Sequence, residues 1–260
     1  MSVFTQSLIA LVPMFIVAGV FWLISLLKKD VSIVDSLWPL FFIIAAVTMF
    51  NDQALTSDRA LLVLCLVVIW GLRLSIYITL RHWGHEEDHR YQSIRSNNQP
   101  GFAIKSLYLI FGFQALIAWI IALPLFYTIS SAAPLNMLDG LAVLLWLVGM
   151  LFESVSDYQL YQFKKNPENK GKILTQGLWK YSRHPNYFGE CLVWWGFFMF
   201  ALSDFAYLTI ISPLLMTFLL LKFSGVNLLE KSMKTRPGYE HYMQHTNAFI
   251  PGSGYSKGEL

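Results

Sequence analysis

The residues best suited to chemistry stand at the entrance to an apolar run in the C-terminal half of the chain. Arg183 and His184 precede Pro185, and Asn186 and Glu190 follow it. Proline is favoured in the first turn of a helix, so we expect a helix to begin at Pro185 with His184 as its cap. The free amides and the positive dipole at such a helix start attract anions, and Arg183 adds a full charge. The pattern predicts a site for a phosphate-bearing ligand.

Two lysines of the preceding loop, Lys172 and Lys180, could add to this site. Basic residues beside an apolar run also interact with anionic lipid headgroups, and that alternative accounts for the lysines. It does not account for Asn186 and Glu190, which lie deeper in the run. Polar groups at that depth favour a ligand site.

Five ionisable residues fall inside runs that are otherwise apolar, namely Asp35, Arg73, Glu153, Asp157 and Glu190. Each costs roughly 2.5–3.5 kcal/mol at the centre of a membrane helix, and such residues usually line a cavity or pair with one another. We therefore expect them to share a polar interior. The alternative is a structural ion pair, such as Arg73 with Asp157, that only sets the register of two helices.

Helical spacing arranges these groups in polar stripes, since residues three or four apart lie on one face of a helix. The stripes are Trp70, Arg73 and Tyr77; Glu153, Asp157, Tyr161 and Lys164; and Asn186, Glu190 and Trp194. All of them lie near the predicted cytosolic end of their runs. Several stripes at one depth favour a functional site over isolated ion pairs.

Apolar helices must hold these stripes, because the chain is 55% hydrophobic and 13% charged, whereas soluble domains contain about 25% charged residues. A bilayer-spanning helix needs about 20 apolar residues. Such runs fall near 7–27, 32–50, 60–80, 106–130, 137–160, 186–203 and 205–223. The composition predicts an all-α membrane protein, a seven-transmembrane helix bundle that forms a single domain over 1–260.

The positive charges predict how the bundle is oriented. With seven spans, 17 of the 19 Lys and Arg residues lie on one side of the membrane, while Arg59 lies on the other side and Arg73 within a span. The side rich in basic residues is expected to be cytosolic. This places the N-terminus outside and the C-terminus in the cytosol. The first run has no preceding basic residue and no small-residue cleavage site, so we expect a retained helix.

The polar loop 81–91 contains three histidines and three carboxylates within eight residues. Their spacing differs from metal-binding patterns such as His-Glu-x-x-His. We therefore expect no metal site there, but a surface helix that covers the cytosolic opening. Cys65 and Cys191 lie within spans, where neither a disulfide nor a zinc site is expected.

Several motifs resemble those of a known family. The segment 177–198 and the pattern Glu-Lys…Arg-Pro-x-Tyr-x-x-Tyr…Ile-Pro at 230–251 resemble the C-terminal half of steroid 5-alpha-reductases. The segment 32–38 and the pattern Gly-x-x-Glu-Asp-x-Arg-Tyr at 84–91 are similar to a bacterial branch of that superfamily, so the resemblance covers roughly 30–252. The superfamily also contains sterol reductases and isoprenylcysteine carboxyl methyltransferases. Its reductases use NADPH and its methyltransferases use S-adenosylmethionine, so the shared Arg-His-Pro-x-Tyr element does not choose the reaction.

The resemblance implies a bundle in the bacterial inner (cell) membrane that holds NADPH at its cytosolic face, in the half from about 140 to 252. By position, the cofactor contacts are Arg73, Tyr77, Glu153, Asp157, Lys164, Lys172, Tyr181, Asn186 and Tyr242, and we add Arg183, His184 and Lys231 from the basic segments of the motifs. Where the family has arginines, Lys164 and Lys172 keep the charge but lose bidentate phosphate binding. Glu153 replaces an asparagine.

Steroid reductases hold the substrate ketone with a glutamate and a tyrosine, and the corresponding positions here are Asp35 and Trp70. An indole donates one hydrogen bond but cannot pass on a phenolic proton. Enone reduction of a steroid therefore follows less directly from the resemblance than NADPH binding does.

The preferred hypothesis is an NADPH-dependent reductase of an activated carbon–carbon double bond in a hydrophobic, steroid-like or isoprenoid-like lipid from the bilayer. In this hypothesis Asp35 is the acid that stabilises the enolate, with Trp70 beside it, and Glu190 orients the nicotinamide amide or Asn186. Trp38 and Trp194 form walls of the substrate slot, although tryptophans in spans often only pack or anchor a helix at the interface.

Two alternatives stay open. One is a membrane methyltransferase that uses S-adenosylmethionine, to which Glu230 would contribute. The stripe Glu153, Asp157 and Lys164 favours the reductase over this alternative. The other is a lipid-binding or scaffold protein without activity, against which the many retained polar positions argue.

Overall fold

The computed structural model describes residues 2–53, 57–223 and 225–252, and these residues are mostly helical. The helices are α1 (Val3–Lys28), α2 (Ile33–Asn51), α3 (Asp58–His82), α4 (His89–Asn97), α5 (Phe102–Ser106), α6 (Phe113–Ile121), α7 (Leu123–Ile129), α8 (Met137–Lys165), α9 (Pro185–Leu202), α10 (Ile211–Phe218), α11 (Val226–Met233) and α12 (Tyr239–His245). One π-helical segment, Leu107–Gly112, joins α5 to α6. Another, Leu219–Phe223, follows α10. The described ranges contain no β-strand, only an isolated bridge between Ser182 and Asn247.

Five helices are long and apolar enough to cross a membrane: α1, α2, α3, the continuous stretch Phe102–Ile121, and α8. They coincide with the first five predicted runs, so the prediction of an all-helical membrane protein is confirmed. The sixth run corresponds to α9 and the seventh to the shorter apolar stretch Tyr207–Phe223, neither of which is among these five. The count of seven spans stays a prediction.

The fourth predicted run, 106–130, is not one helix. It ends as α6 at Ile121, and α7 begins at Leu123 with Pro124 in its first turn. Proline lacks the amide that would continue the hydrogen-bond ladder. The apolar run is therefore divided where the proline stands.

The chain divides into two compact units. The first comprises the described residues up to Asn136 together with Ala201–Thr209, and the second comprises Met137–Phe200 with the described residues from Ile210 onward. In the first unit α2 packs on both α1 and α3. Close approach of α2 and α3 depends on Gly71, where an added Cβ would lie 2.9 Å from the Ile43 side chain.

In the second unit α8 and α9 approach each other through glycines. A Cβ on Gly189 would lie 2.5 Å from both the Gly149 carbonyl oxygen and the Glu153 nitrogen, and one on Gly196 would lie 3.1 Å from the Ala142 carbonyl oxygen. Small residues of this kind let membrane helices come into backbone contact. Their spacing along α9 fixes which face of α9 meets α8.

A buried ion pair joins three connections at one end of the first unit. Arg59, which is fully buried, donates from Nη1 to Asp204 Oδ1 over 2.7 Å and from Nη2 to the Pro134 carbonyl over 2.9 Å. The Ser131 hydroxyl donates to the same Asp204 oxygen over 2.7 Å. The start of α3, the segment before α8 and the segment after α9 therefore meet at this end.

Candidate functional site

Four polar residues lie on the helices α8 and α9, whose backbones are in contact at Gly149 and Gly189, and we call them the α8–α9 cluster: Glu153, Asp157, Asn186 and Glu190. The three carboxylates are 2%, 3% and 8% exposed. The side-chain amide of Asn186 donates to Asp157 Oδ1 over 3.2 Å. Two of the three predicted stripes therefore face each other across this helix pair.

The glycine contacts explain why this cluster exists. Gly189 lies directly against the backbone of Glu153, and Glu190 is the next residue. Carboxylates at this depth are costly unless they are paired or bind a ligand. An amide beside carboxylates offers both donors and acceptors, which is the hydrogen-bonding chemistry that a carboxamide requires.

The start of α9 is the one predicted from Pro185. The helix begins at that residue, and the His184 carbonyl accepts from the Phe188 amide over 3.1 Å. The His184 amide in turn donates to the Ser182 hydroxyl over 3.1 Å. His184 therefore closes the first turn with its backbone, and its ring stacks on Tyr187.

Arg183 is held by the C-terminal segment. Its Nε and Nη2 lie 2.8 and 2.6 Å from Glu230 Oε1, and its Nη1 donates to the Met243 and Thr246 carbonyls over 3.2 and 2.5 Å. His184 Nε2 lies 3.5 Å from the same Glu230 oxygen. We call this arrangement the C-terminal clasp: Arg183, His184, Glu230 and Thr246. It joins the loop before α9 to α11 and to the end of α12.

The neighbouring charges determine whether Glu230 in the clasp is ionised. Burial tends to raise the pKa of Glu230, but hydrogen bonds from His184 and Arg183 and their charges outweigh burial and lower it. Glu230 is therefore an anion at neutral pH. The sequence predicts Glu230 only as a cofactor ligand of the methyltransferase alternative, because no local pattern connects two residues that lie 47 positions apart.

The other predicted cofactor residues of the second unit differ in exposure. Lys164, Lys172 and Lys231 are exposed, and Tyr181 is 46% exposed. Tyr242 is buried, and its hydroxyl donates to the Trp179 carbonyl. Burial raises the pKa of the Tyr242 phenol. Lys164 and Lys172 keep the accessibility that a phosphate ligand needs, whereas the Tyr242 hydroxyl is turned towards the backbone.

In the first unit Asp35 is bound by two residues of α4. Arg90 Nη2 lies 2.7 Å from Asp35 Oδ2, and the Tyr91 hydroxyl donates to Asp35 Oδ1 over 2.5 Å. Gln114 Nε2 donates to the Tyr91 hydroxyl over 3.2 Å. Burial and the charge of Asp35 raise the pKa of the Tyr91 phenol well above its usual range. Asp35 therefore accepts hydrogen bonds, and Tyr91 is the neutral donor beside it.

The other residues of the loop motif bind the start of α2. Glu87 accepts from the Val31 amide over 3.0 Å and pairs with Arg95 over 2.7 Å. The Asp88 amide donates to the Ser32 hydroxyl over 2.8 Å. The Glu-Asp-x-Arg-Tyr motif is thus the partner of the segment 31–35, and helix α4 begins only at His89. The two segments that carry the resemblance in this half of the chain are therefore in contact.

Aromatic packing surrounds Trp70, a predicted catalytic residue, and the predicted substrate residues Trp38 and Trp194. Trp70 is fully buried against Phe42 at 5.6 Å between ring centroids, and Phe42 in turn meets Trp38 at 5.3 Å. Trp194, in the second unit, is fully buried against Phe197. Trp70 and Trp194 are buried and Trp38 is half-buried, and a substrate slot at Trp38 and Trp194 stays a prediction.

The third predicted stripe lies on α3. The Arg73 and Arg81 guanidinium carbons each lie 5.5 Å from the centroid of the Tyr77 ring. Cations attract the face of an aromatic ring, so the stripe is held together along its own helix.

Within the described ranges no three His, Cys, Asp or Glu side chains converge on a possible metal position.

Comparison with known proteins assigns the chain to a family. The model of DUF1295, a family of proteins of unknown function, matches residues 21–246. The chain belongs to the DUF1295 family. The match covers most of both units and includes the segments 32–38, 84–91 and 177–198, which supports the resemblance to steroid 5-alpha-reductase-like proteins.

Relatives of this DUF1295 protein carry different names. An uncharacterized protein of Schizosaccharomyces pombe is 25% identical over 74% of the chain and 63% of its own length. The 3-oxo-5-alpha-steroid 4-dehydrogenase 1 of Mus musculus is 45% identical over 53 residues, 20% of the chain and 21% of that enzyme. The probable O-methyltransferase ustE of Ustilaginoidea virens is 48% identical over 44 residues, 17% and 16% of the two chains. The matches therefore span less than two thirds of each of these relatives, and no solved structure matches significantly.

Proposed function

We propose that this DUF1295 protein is an NADPH-dependent reductase of an activated carbon–carbon double bond in a hydrophobic, steroid-like or isoprenoid-like lipid. The α8–α9 cluster carries the proposal, because three buried carboxylates and an amide lie in a membrane helix pair. The similarity to steroid dehydrogenases gives the reaction class. The proposed setting is a bacterial inner membrane, with seven spans and the cofactor site on the cytosolic side.

The residues of the second unit fit such a cofactor. The α8–α9 cluster offers the donors and acceptors of a carboxamide site, with Asn186, Glu190 and Glu153 as its partners. The exposed lysines Lys164 and Lys172 are suited to phosphate groups. Arg183 and Tyr242 are engaged with the protein itself, so we assign them to positioning the loop before α9. NADPH, when bound, supplies a hydride.

Asp35 and Tyr91 supply the second half of the reaction in this proposal. Reduction of an enone adds a hydride at one carbon and places a proton after negative charge develops on the carbonyl oxygen. A neutral phenol is a suitable donor for that oxygen, and Tyr91 remains neutral because its pKa is raised. Since the Tyr91 hydroxyl donates its single hydrogen to Asp35 in the structure, it must turn from Asp35, which Arg90 holds in place, to the carbonyl oxygen during the reaction. In this proposal Tyr91 replaces Asp35 as the acid, and it takes the role that the Trp70 position cannot fill.

The topology of the connections supports the proposed seven spans. The loops that join spans 2 to 3, 4 to 5 and 6 to 7 meet around the Arg59–Asp204 pair. The loops that join spans 1 to 2 and 3 to 4 meet through the segment 31–35 and the motif 87–91. A chain that crosses the membrane seven times requires both sets of neighbours.

A membrane methyltransferase is the second candidate, since one relative is named a probable O-methyltransferase. That hypothesis uses Glu230 as a cofactor ligand, and in the structure Glu230 is bound by Arg183 and His184. The occupied carboxylate favours the reductase.

Binding of NADPH to the purified protein tests the proposal. The loss of one hydrogen bond costs about 0.5–1.5 kcal/mol, so Asn186→Ala should weaken NADPH binding by roughly 2- to 12-fold. Asn97→Ala, at an exposed position of α4, is the matched control and should bind as the wild type does. Equal NADPH affinity in all three proteins would remove the α8–α9 cluster from the cofactor site.

A further inference from the structure

A cavity lies in the first unit beside the loop 83–87. Its volume is about 520 Å³, and residues from the ends of α1, α2 and α3 line it. Sites for small molecules have volumes of about 300–1,000 Å³, so this cavity is large enough for a ligand group. None of the residues in the proposed reaction lines it.

The charges of this cavity are of two kinds. Asp30 faces His82 at 3.3 Å, and Glu87 is held by Arg95 at 2.7 Å. Each of these two carboxylates therefore has a partner within the protein. The other lysine and glutamate residues that line the cavity are Lys28, Lys29 and Glu86. Their side chains form no ion pair or hydrogen bond with a described residue.

The surplus charges define the ligand. Two ammonium groups suit a phosphate, and one carboxylate suits an amine. The first turn of α2 also lines the cavity with Ile33 and Ser36, so the positive end of a 19-residue helix adds to the attraction for an anion. A group that carries both a phosphodiester and an ammonium offers a partner of opposite charge to all three side chains.

The surroundings place this group at a membrane surface. Leu27 is 86% exposed and Leu80 is 63% exposed, and both precede lining residues in the chain. Trp83, which lines the cavity, is 76% exposed. Apolar side chains that face outward next to lysines and a tryptophan are typical of the interface between lipid tails and headgroups.

We propose that this cavity binds the headgroup of an aminophospholipid, with the phosphodiester at Lys28 and Lys29 and the amine at Glu86. The site is independent of the proposed reductase activity. Bound lipid would fasten α1 to the loop that follows α3.

Native mass spectrometry of the delipidated protein tests this proposal by titration with single lipids. The probes are phosphatidylethanolamine, phosphatidylglycerol and water-soluble glycerophosphoethanolamine. We expect phosphatidylethanolamine to bind most tightly. A lysine near a lipid phosphate contributes about fivefold in affinity. The double variant Lys28→Gln with Lys29→Asn should therefore lower the affinity for both lipids by about thirtyfold. Asparagine is chosen at position 29 because it tolerates the positive φ of 56° there.

Two further variants make the test specific. Glu86→Gln, an exposed substitution, should lower the affinity for phosphatidylethanolamine to that for phosphatidylglycerol and leave the latter unchanged. Lys165→Gln with Lys170→Asn removes the same charge from exposed positions outside the cavity and should retain wild-type binding. Wild-type lipid affinity in both cavity variants would overturn the proposal. So would tighter binding of glycerophosphoethanolamine than of the lipid, which would assign the cavity to a soluble phosphate compound.

Discussion

The side-chain amide of Asn186 donates a hydrogen bond to Asp157 across the interface of α8 and α9, over 3.2 Å. Gly189, one turn from Asn186, has no side chain, and its backbone meets that of Glu153. The two polar stripes therefore face each other because the two helix backbones are in contact. Separating the helices would remove the cluster without changing any of its residues.

Gly189→Ala should destabilise the protein, because its Cβ would lie 2.5 Å from two backbone atoms of α8. Such overpacking typically costs about 1–3 kcal/mol. Gly140→Ala, on α8, is the control, since a Cβ there meets nothing within 4 Å. It should leave stability unchanged or raise it by up to about 1 kcal/mol. Thermal unfolding in detergent measures both, and equal melting temperatures would contradict backbone contact at Gly189.

Arg59→Met should be strongly destabilising, because it leaves Asp204 without its buried partner. Removing one member of a buried pair costs about 3–5 kcal/mol. Arg59→Met with Asp204→Leu removes both charges and should recover most of this loss. Chemical unfolding of the three variants measures the difference. A double variant as unstable as the single one would show that the pair is not what joins these connections.

Much of the helical architecture follows from the sequence. The apolar runs predict the first five long helices, and Pro185 predicts where α9 begins. Interactions between distant residues do not follow in the same way. No local pattern connects Arg183 to Glu230, or Asp35 to Tyr91, because such pairs depend on how separate segments fold onto each other.

The candidate site is predictable only where it depends on local helical spacing. The stripes Glu153 and Asp157, and Asn186 and Glu190, could be drawn from helical spacing, and the structure brings them together. The charge of Arg183 suggested a phosphate contact, but the sequence holds no sign that the C-terminal segment would surround its guanidinium. Composition also could not distinguish tryptophans that pack from tryptophans that line a substrate slot.

Tyr91→Phe tests the proposed proton donor. The variant should bind NADPH as the wild type does and reduce a steroid enone about 10²–10⁴-fold more slowly, the usual contribution of a positioned acid. Since the pKa of Tyr91 is raised above 10.0, the wild-type rate should not fall from loss of this proton below about pH 10. NADPH absorbance follows the rate, and a variant with wild-type turnover would remove Tyr91 from the mechanism.

Glu230→Gln tests the C-terminal clasp through its pH dependence. The folded-state pKa of Glu230 is lowered from 4.5, so its contribution to stability is present above that value and is lost as the pH falls through the folded pKa. The variant should be less stable than the wild type at pH 7, and the difference should vanish in acid. Glu240→Gln, at an exposed position, is the control. A difference that does not change with pH would contradict an ionised Glu230.

The central claim is that this protein binds NADPH, and thermal stability of the detergent-purified protein tests it most directly. A ligand that binds only the folded state raises the melting temperature. At a hundredfold excess over its dissociation constant it adds about 2.7 kcal/mol to the free energy of unfolding. NADPH, NADH and S-adenosylmethionine would be compared in parallel. We predict a rise with NADPH that Asn186→Ala reduces and Asn97→Ala does not. A rise with S-adenosylmethionine alone would contradict the reductase and identify a methyltransferase.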